Sequence, residues 1–116
     1  MKIYINYEFD DWNTYIEKER SNKYWANQRK KEEEKIVKLS TIGKKYNGKY
    51  PVKMTFIKYF KDKRKDIDGV RVKSIIDGLV RCGVLKNDNL NCINSIQIIP
   101  KFDKIKKGIE IIIEEN

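Results

Sequence analysis

The chain has 116 residues, 37% of them charged and 40% apolar, which fits one folded domain with a modest core and excludes a disordered chain. Its 26 basic and 17 acidic residues give a formal charge of +9, favouring a polyanionic partner, most simply nucleic acid. No run of eighteen apolar residues is present to span a membrane, and the sequence contains no histidine.

The missing histidine removes Ser-His-Asp and Cys-His nucleophile activation, zinc sites built on histidine, and HNH-type nucleases. A hydrolase made from these residues must rely on carboxylates, lysines and a hard metal. The start, MKIYINYEF, alternates and carries charge, so it does not read as a signal peptide. Cys82 and Cys92 form no CxxC motif, as expected of a reduced, cytosolic protein, with Cys82 packed at a helix end.

In chain order, residues 2–9 alternate Ile3, Ile5, Tyr7 and Phe9 against Lys2, Asn6 and Glu8, the pattern of a half-buried strand. DDWNTY, residues 10–15, reads as a turn or loop. Residues 21–39 read as a helix starting near Ser21 or Asn22, with the charged stretch Gln28 to Lys35 as its solvated face. Residues 40–50, with Gly43 and Gly48 before Pro51, form a polar loop. VKMTFIKYF, residues 52–60, is a strand whose alternation slips between Phe56 and Ile57, so either both its faces are covered or a bulge lies there.

Residues 69–82 are the clearest helix, with Val72, Ile75, Ile76 and Leu79 on one stripe. Asp68 is a candidate N-cap, and Gly83 is placed for the C-terminal cap. CINSIQIIPKF, residues 92–102, is a strand in which Pro100 marks an edge or an end. A turn through Lys106, Lys107 and Gly108 leads to a last strand from Ile109 to Ile113, expected to pair with its predecessor as a hairpin. The order β-α-β-α-β-β gives one single domain, residues 1–116: an α+β fold with one mixed β-sheet and helices mainly on one face.

The basic excess is local. Residues 44–65 hold nine Lys or Arg and one acid, a charge of +8, whereas residues 66–116 hold eight of each sign and sum to zero. Directly after that basic stretch stand Asp66 and Asp68. In extended backbone residues two apart share a face, so both carboxylates point together. Two such charges repel unless a cation bridges them, and magnesium takes a few carboxylates together with water and substrate phosphate. Lys73 follows on the helix and can stabilise charge building on a phosphate. Asp77, four residues on, is also an ordinary helical partner for it. A third acid, Asp88, can rejoin the first two only if residues 83–88 run back along the helix. Lys58, Lys61, Lys63, Arg64 and Lys65, with Arg29, Lys30 and Lys31 of the first helix, are candidates for DNA phosphates. Tyr46, Tyr50, Tyr59 and Phe60 are candidates for base stacking, against a simpler place in the core or at its rim.

The segment KDIDG, three residues, then KSIIDGLVRCGVLKND resembles the RusA family of Holliday-junction resolvases, above all its phage-borne members. WNTYIEKERSNKYWANQRKK near the start is similar to phage members as well. The resemblance implies a homodimeric, magnesium-dependent endodeoxyribonuclease, with manganese as a possible substitute, that nicks four-way DNA junctions symmetrically in recombination, repair or phage DNA processing in a bacterial cytoplasm. Carried over by position, Asp66, Asp68 and Asp88 hold metal, Lys73 is the essential lysine, and Asp77 supports. The sequence departs from the family pattern at Gly69, where asparagine is usual, and at Asn87, where the first of two closing acids is usual. Those departures leave two alternatives: a non-catalytic DNA-binding protein that kept the fold, and a less selective flap or fork nuclease.

Overall fold

The computed structural model describes all 116 residues, Met1–Asn116. Its elements are strand β1 (Lys2–Ile5), helices α1 (Trp12–Ser21) and α2 (Lys23–Ser40), strand β2 (Val52–Phe60), a 3-10 turn (Ile67–Gly69), helix α3 (Val72–Arg81), and strands β3 (Ile93–Phe102) and β4 (Ile109–Glu115). The four strands make one mixed sheet in the order β1-β4-β2-β3. β2 and β3 run parallel, joined by α3 as a crossover, while β4 is antiparallel to both β1 and β2. The fold is therefore α+β with one mixed sheet.

Pairing differs from the sequence expectation at one point. β3 and β4 are consecutive but form no hairpin, because β4 inserts between β1 and β2. The reason lies in β2, which is buried along nearly its whole length. A strand so apolar needs a neighbour on each edge, and the β4 run IEIII supplies alternating isoleucines opposite Phe56 and Met54. The slip at Phe56 and Ile57 thus reflects a central strand, and the one register shift lies at Val52/Lys53 instead.

The core forms between the sheet and the helices. Ile3 and Ile5, Met54 and Phe56, and Ile109, Ile111 and Ile113 pack with Val37 of α2 and Ile75, Ile76 and Leu79 of α3. Burying a side chain of this kind stabilises the fold by about 1.5–3 kcal/mol. α2 and α3 approach closely at Gly78, where an added Cβ would lie 3.2 Å from three atoms of the Val37 side chain.

Residues 10–15 were expected as a loop, yet α1 begins at Trp12. Asp11 caps it, its side chain accepting from the Thr14 amide at 2.8 Å, and Tyr15 is buried. Asn22, in extended conformation, ends α1 and caps α2 through the Trp25 amide at 3.0 Å. β1 is also shorter than read: after Ile5 the chain leaves the sheet, and Tyr7 and Phe9, edge-to-face with each other, pack against the core. Asp68 does not cap α3. It lies in the 3-10 turn, and α3 starts after Arg71 with no side-chain cap.

A further correction concerns the charged stretch of α2. Glu33, in the middle of a run expected to be solvated, is 3% exposed. It meets Arg71, which is 1% exposed, through two hydrogen bonds of 2.6 and 3.0 Å. Arg71 also donates to Ser74 Oγ at 3.0 Å, and its guanidinium lies 3.8 Å from the centre of the Tyr15 ring. A bidentate pair with an aromatic lid offsets the cost of taking both charges from water. Removing one partner strands the other, so Glu33→Ala and Arg71→Ala should each lower the unfolding free energy by about 3–5 kcal/mol. Glu33→Leu combined with Arg71→Met should lose far less than the sum of the single losses. Urea unfolding checks this, and simple additivity would show that the pair is not coupled.

Candidate functional site

A cleft of about 530 Å³ opens at the end of the sheet where β2 finishes. One wall is the segment after β1, with Glu8, Asp10 and Asp11. Another is the end of β2 and the basic run, with Lys58, Lys61, Asp62, Lys65 and Asp66. Gly69 to Arg71, Ile75 of α3, and Lys106 and Lys107 close it. The three segments meet because β1, β4 and β2 are sheet neighbours and the start of α3 is fixed by Arg71.

The cleft carries both signs of charge, and most of its acids are engaged. Glu8 bonds Lys58 at 2.5 Å. Asp10 lies 3.3 Å from Arg29, and Asp11 lies 3.8 Å from Lys65. The Thr14 amide, then Lys65, holds the Asp11 carboxyl below its ordinary range. Asp62 accepts from the Arg64 backbone amide and guanidinium, both at 2.9 Å, and these bonds lower its pKa to about 2. Asp66 differs: its side chain makes no hydrogen bond or ion pair, although its backbone carbonyl accepts from the Gly69 amide. On the β4 side, Asp103 accepts from the amides of Ile105 and Lys106 at 2.9 Å each. That turn lays the Lys106 ammonium 4.6 Å from the Tyr59 ring and 4.9 Å from the Tyr4 ring. Its interaction with the Tyr59 side chain holds the Lys106 pKa above the ordinary value.

The sequence-predicted residues are distributed unevenly. Asp66 lines the cleft, and Asp68 is exposed in the turn two residues on. Lys73 and Asp77 lie outside the cleft lining and pair with each other at 3.6 Å on α3. Lys61 and Lys65 reach the cleft, while Lys63 lies 5.4 Å from the Phe102 ring and Arg64 projects into solvent. Lys30 and Lys31 are exposed on α2. Arg29 is not a free phosphate ligand: it bonds Tyr7 and pairs with Asp10 and Glu32 beneath Trp25. Of the candidate stacking residues, Tyr46 and Tyr59 are buried, and Tyr50 accepts the Lys86 amide.

Asp88 sits at the other end of the sheet. The amides of Val84 and Leu85 both bond the Leu79 carbonyl, and that of Lys86 bonds Tyr50, so residues 83–88 stay at the C-terminal end of α3. Asn89, the next residue, accepts from the Ile93 amide, and Ile93 pairs with Val52 at the start of β2. Asp66 follows the far end of that strand, beyond Phe60. Eight steps of ~3.3 Å put the two ends of β2 roughly 26 Å apart. Within the chain, no three His, Cys, Asp or Glu side chains form a group able to hold a metal ion. Asp66 lines the cleft but Asp68 does not, and the 3-10 turn at Ile67–Gly69 turns the two side chains away from the common face expected of extended backbone.

Residues of the cleft that sequence reasoning missed are Glu8, Asp10 and Asp11. One signal was available: an Asp three residues before Thr14, ahead of Trp12 and Tyr15, is a helix-start signature. No family model matches the chain, and no curated protein matches it. No helix is long and apolar enough to cross a membrane.

The cleft electrostatics can be read directly. In an NMR titration the Asp62 carboxyl should titrate at about 2, and Arg64→Ala should return it towards 3.8. A wild-type value near 3.8 would contradict the Arg64 bonds.

Proposed function

We propose that the chain is a magnesium-dependent endodeoxyribonuclease of the RusA type, which resolves four-way DNA junctions by paired nicks as a homodimer. The observation that carries this reading is Asp66: a cleft carboxylate with no side-chain partner, two residues from Asp68, directly after a segment of charge +8. A basic protein that leaves Asp66 and Asp68 without side-chain partners beside such a segment is suited to hold a cation against a phosphate chain.

Each residue then has a task. Lys61, Lys63, Arg64 and Lys65, with Lys30 and Lys31, hold backbone phosphates without reading sequence. Asp66 and Asp68 would hold magnesium, and Asp88, remote within one chain, would have to come from a second copy. Bound magnesium supplies a polarised phosphate and a more acidic water. In the hydrolysis, water oxygen bonds to phosphorus and one P–O ester bond breaks. The water's proton passes to solvent, and the leaving oxygen takes one up. A two-fold dimer sets two such sites on opposite arms of a junction.

The non-catalytic DNA-binding alternative draws on one observation, the absence of a three-carboxylate group within the chain. Cleavage assays with magnesium or manganese separate the two. Asp66→Asn should abolish nicking of four-way junctions while leaving their binding in place. If cleavage is unaffected, the catalytic assignment is wrong. Equal rates on four-way, three-way and linear DNA would remove the junction claim. Mixing Asp66→Asn chains with Asp88→Asn chains tests the shared site. If Asp88 acts across the dimer, one of the two sites in a mixed dimer is intact and single nicks return. If it acts within one chain, both sites stay dead.

A further inference from the structure

We infer that Lys58, rather than Lys73, is the lysine that meets the scissile phosphate. This inference rests on the endonuclease reading and names a residue within it.

Lys58 belongs to β2 and alternates with Met54 and Phe56 on the face turned to the core. Its side chain is only 9% exposed, yet it lines the cleft. An ammonium so placed is costly unless acceptors surround it. Two do: Glu8 Oε1 at 2.5 Å and the Tyr59 carbonyl at 3.0 Å, with the Phe60 ring centre 5.3 Å away. An ammonium has three donors, so one N–H is left without a protein acceptor.

The pair with Glu8 is lopsided. The Glu8 side chain is 56% exposed and can turn to water at little cost, whereas Lys58 has no such route. A phosphate oxygen entering the cleft can therefore take the place of Glu8, one anion for another, while the Tyr59 carbonyl keeps the ammonium aimed. A charge held on a central strand in a site shielded from water stabilises developing negative charge far better than one in solvent. Lys73 is the contrast. It is 72% exposed, pairs with Asp77 and does not line the cleft. Water screens a charge in that position. Lys61 and Lys65 share the cleft but lie on the chain beyond β2, and Lys65 is 66% exposed. They suit the backbone phosphates on either side.

The experiment measures turnover on a four-way junction with magnesium or manganese, and binding without metal, for Lys58→Met, Glu8→Gln and Lys73→Met. Methionine fills a similar volume among Met54, Phe56 and Phe60, and thermal unfolding monitors the fold. Lys58→Met should lose turnover on the order of 100-fold with binding within about threefold of wild type. It should turn over at least about tenfold more slowly than Lys73→Met. Glu8→Gln removes the same ion pair but keeps the ammonium, so it should lose less than about tenfold. Should Lys58→Met fail to fold, Lys58→Gln, polar but uncharged, should show the same loss. A Lys58 variant cleaving within about threefold of wild type overturns the inference and leaves the endonuclease reading standing. So does Glu8→Gln falling as far as Lys58→Met, since that marks a purely structural pair. A wild-type chain that cleaves no DNA overturns both.

Discussion

The Arg71–Glu33 pair is the constraint on which the rest of the molecule turns. It joins the middle of α2 to the residue just before α3, and it also touches the α1 layer through the Tyr15 ring. Apolar packing alone would let α3 slide along the sheet, since its stripe of Ile75, Ile76 and Leu79 could meet the core isoleucines at more than one height. A buried two-bond ion pair tolerates no such sliding, because a shift of one turn would leave two charges unsolvated. The start of α3 is fixed by that means. The 3-10 turn before it, and with it Asp66 and Asp68, inherit the same position. An interaction wholly inside the fold thus decides where exposed carboxylates stand relative to the end of β2.

Much of the framework was legible from the sequence, and the failures have physical causes. β2 runs from Val52 to Phe60 as its nine-residue pattern suggests, and β3 departs by one residue at its start. Both are apolar runs bounded by turn residues, which constrain local structure strongly. α1 was illegible because WNTYIEKERS buries only Tyr15, so it leaves almost no periodic trace. The sheet order was illegible for another reason: strand pairing is a long-range choice. Nothing local in IEIIIEE distinguishes a hairpin partner of β3 from a strand placed between β1 and β2. Glu33 was hidden by its neighbours, since a single buried acid within a charged run looks like the others until its partner is located.

The candidate site was read only in part. Asp66 lines the cleft, whereas Asp68 and Asp88 do not, and the three carboxylates expected to share a metal are not assembled within the chain. The amides of Gly83, Val84 and Leu85 tie residues 83–88 to the end of α3 and that of Lys86 ties them to Tyr50, and a reach estimated from extended chain cannot anticipate such ties. The acids of the first wall, Glu8 to Asp11, come from a distant part of the sequence and enter only through the fold. They make the cleft nearly balanced in charge, and Lys58, Lys65 and Arg71 are already partnered by carboxylates. Under the proposed endonuclease reading, a phosphate reaching Lys58 exchanges with Glu8 instead of entering a bare positive hollow.

The position of β4 has a consequence for how the protein is made. Ile3 pairs with Ile111 and Val52 with Glu115, so the strand that links the first and middle parts of the sheet is the last to be synthesised. A nascent chain that has left the ribosome as far as β3 can assemble β2, α3 and β3 as a parallel unit, yet β1 must wait with its edge open. At typical elongation speeds of ~5–20 residues per second, that interval lasts seconds. During it the apolar edge of β2 is also available to other chains, and the many lysines on neighbouring segments would serve to keep those chains apart.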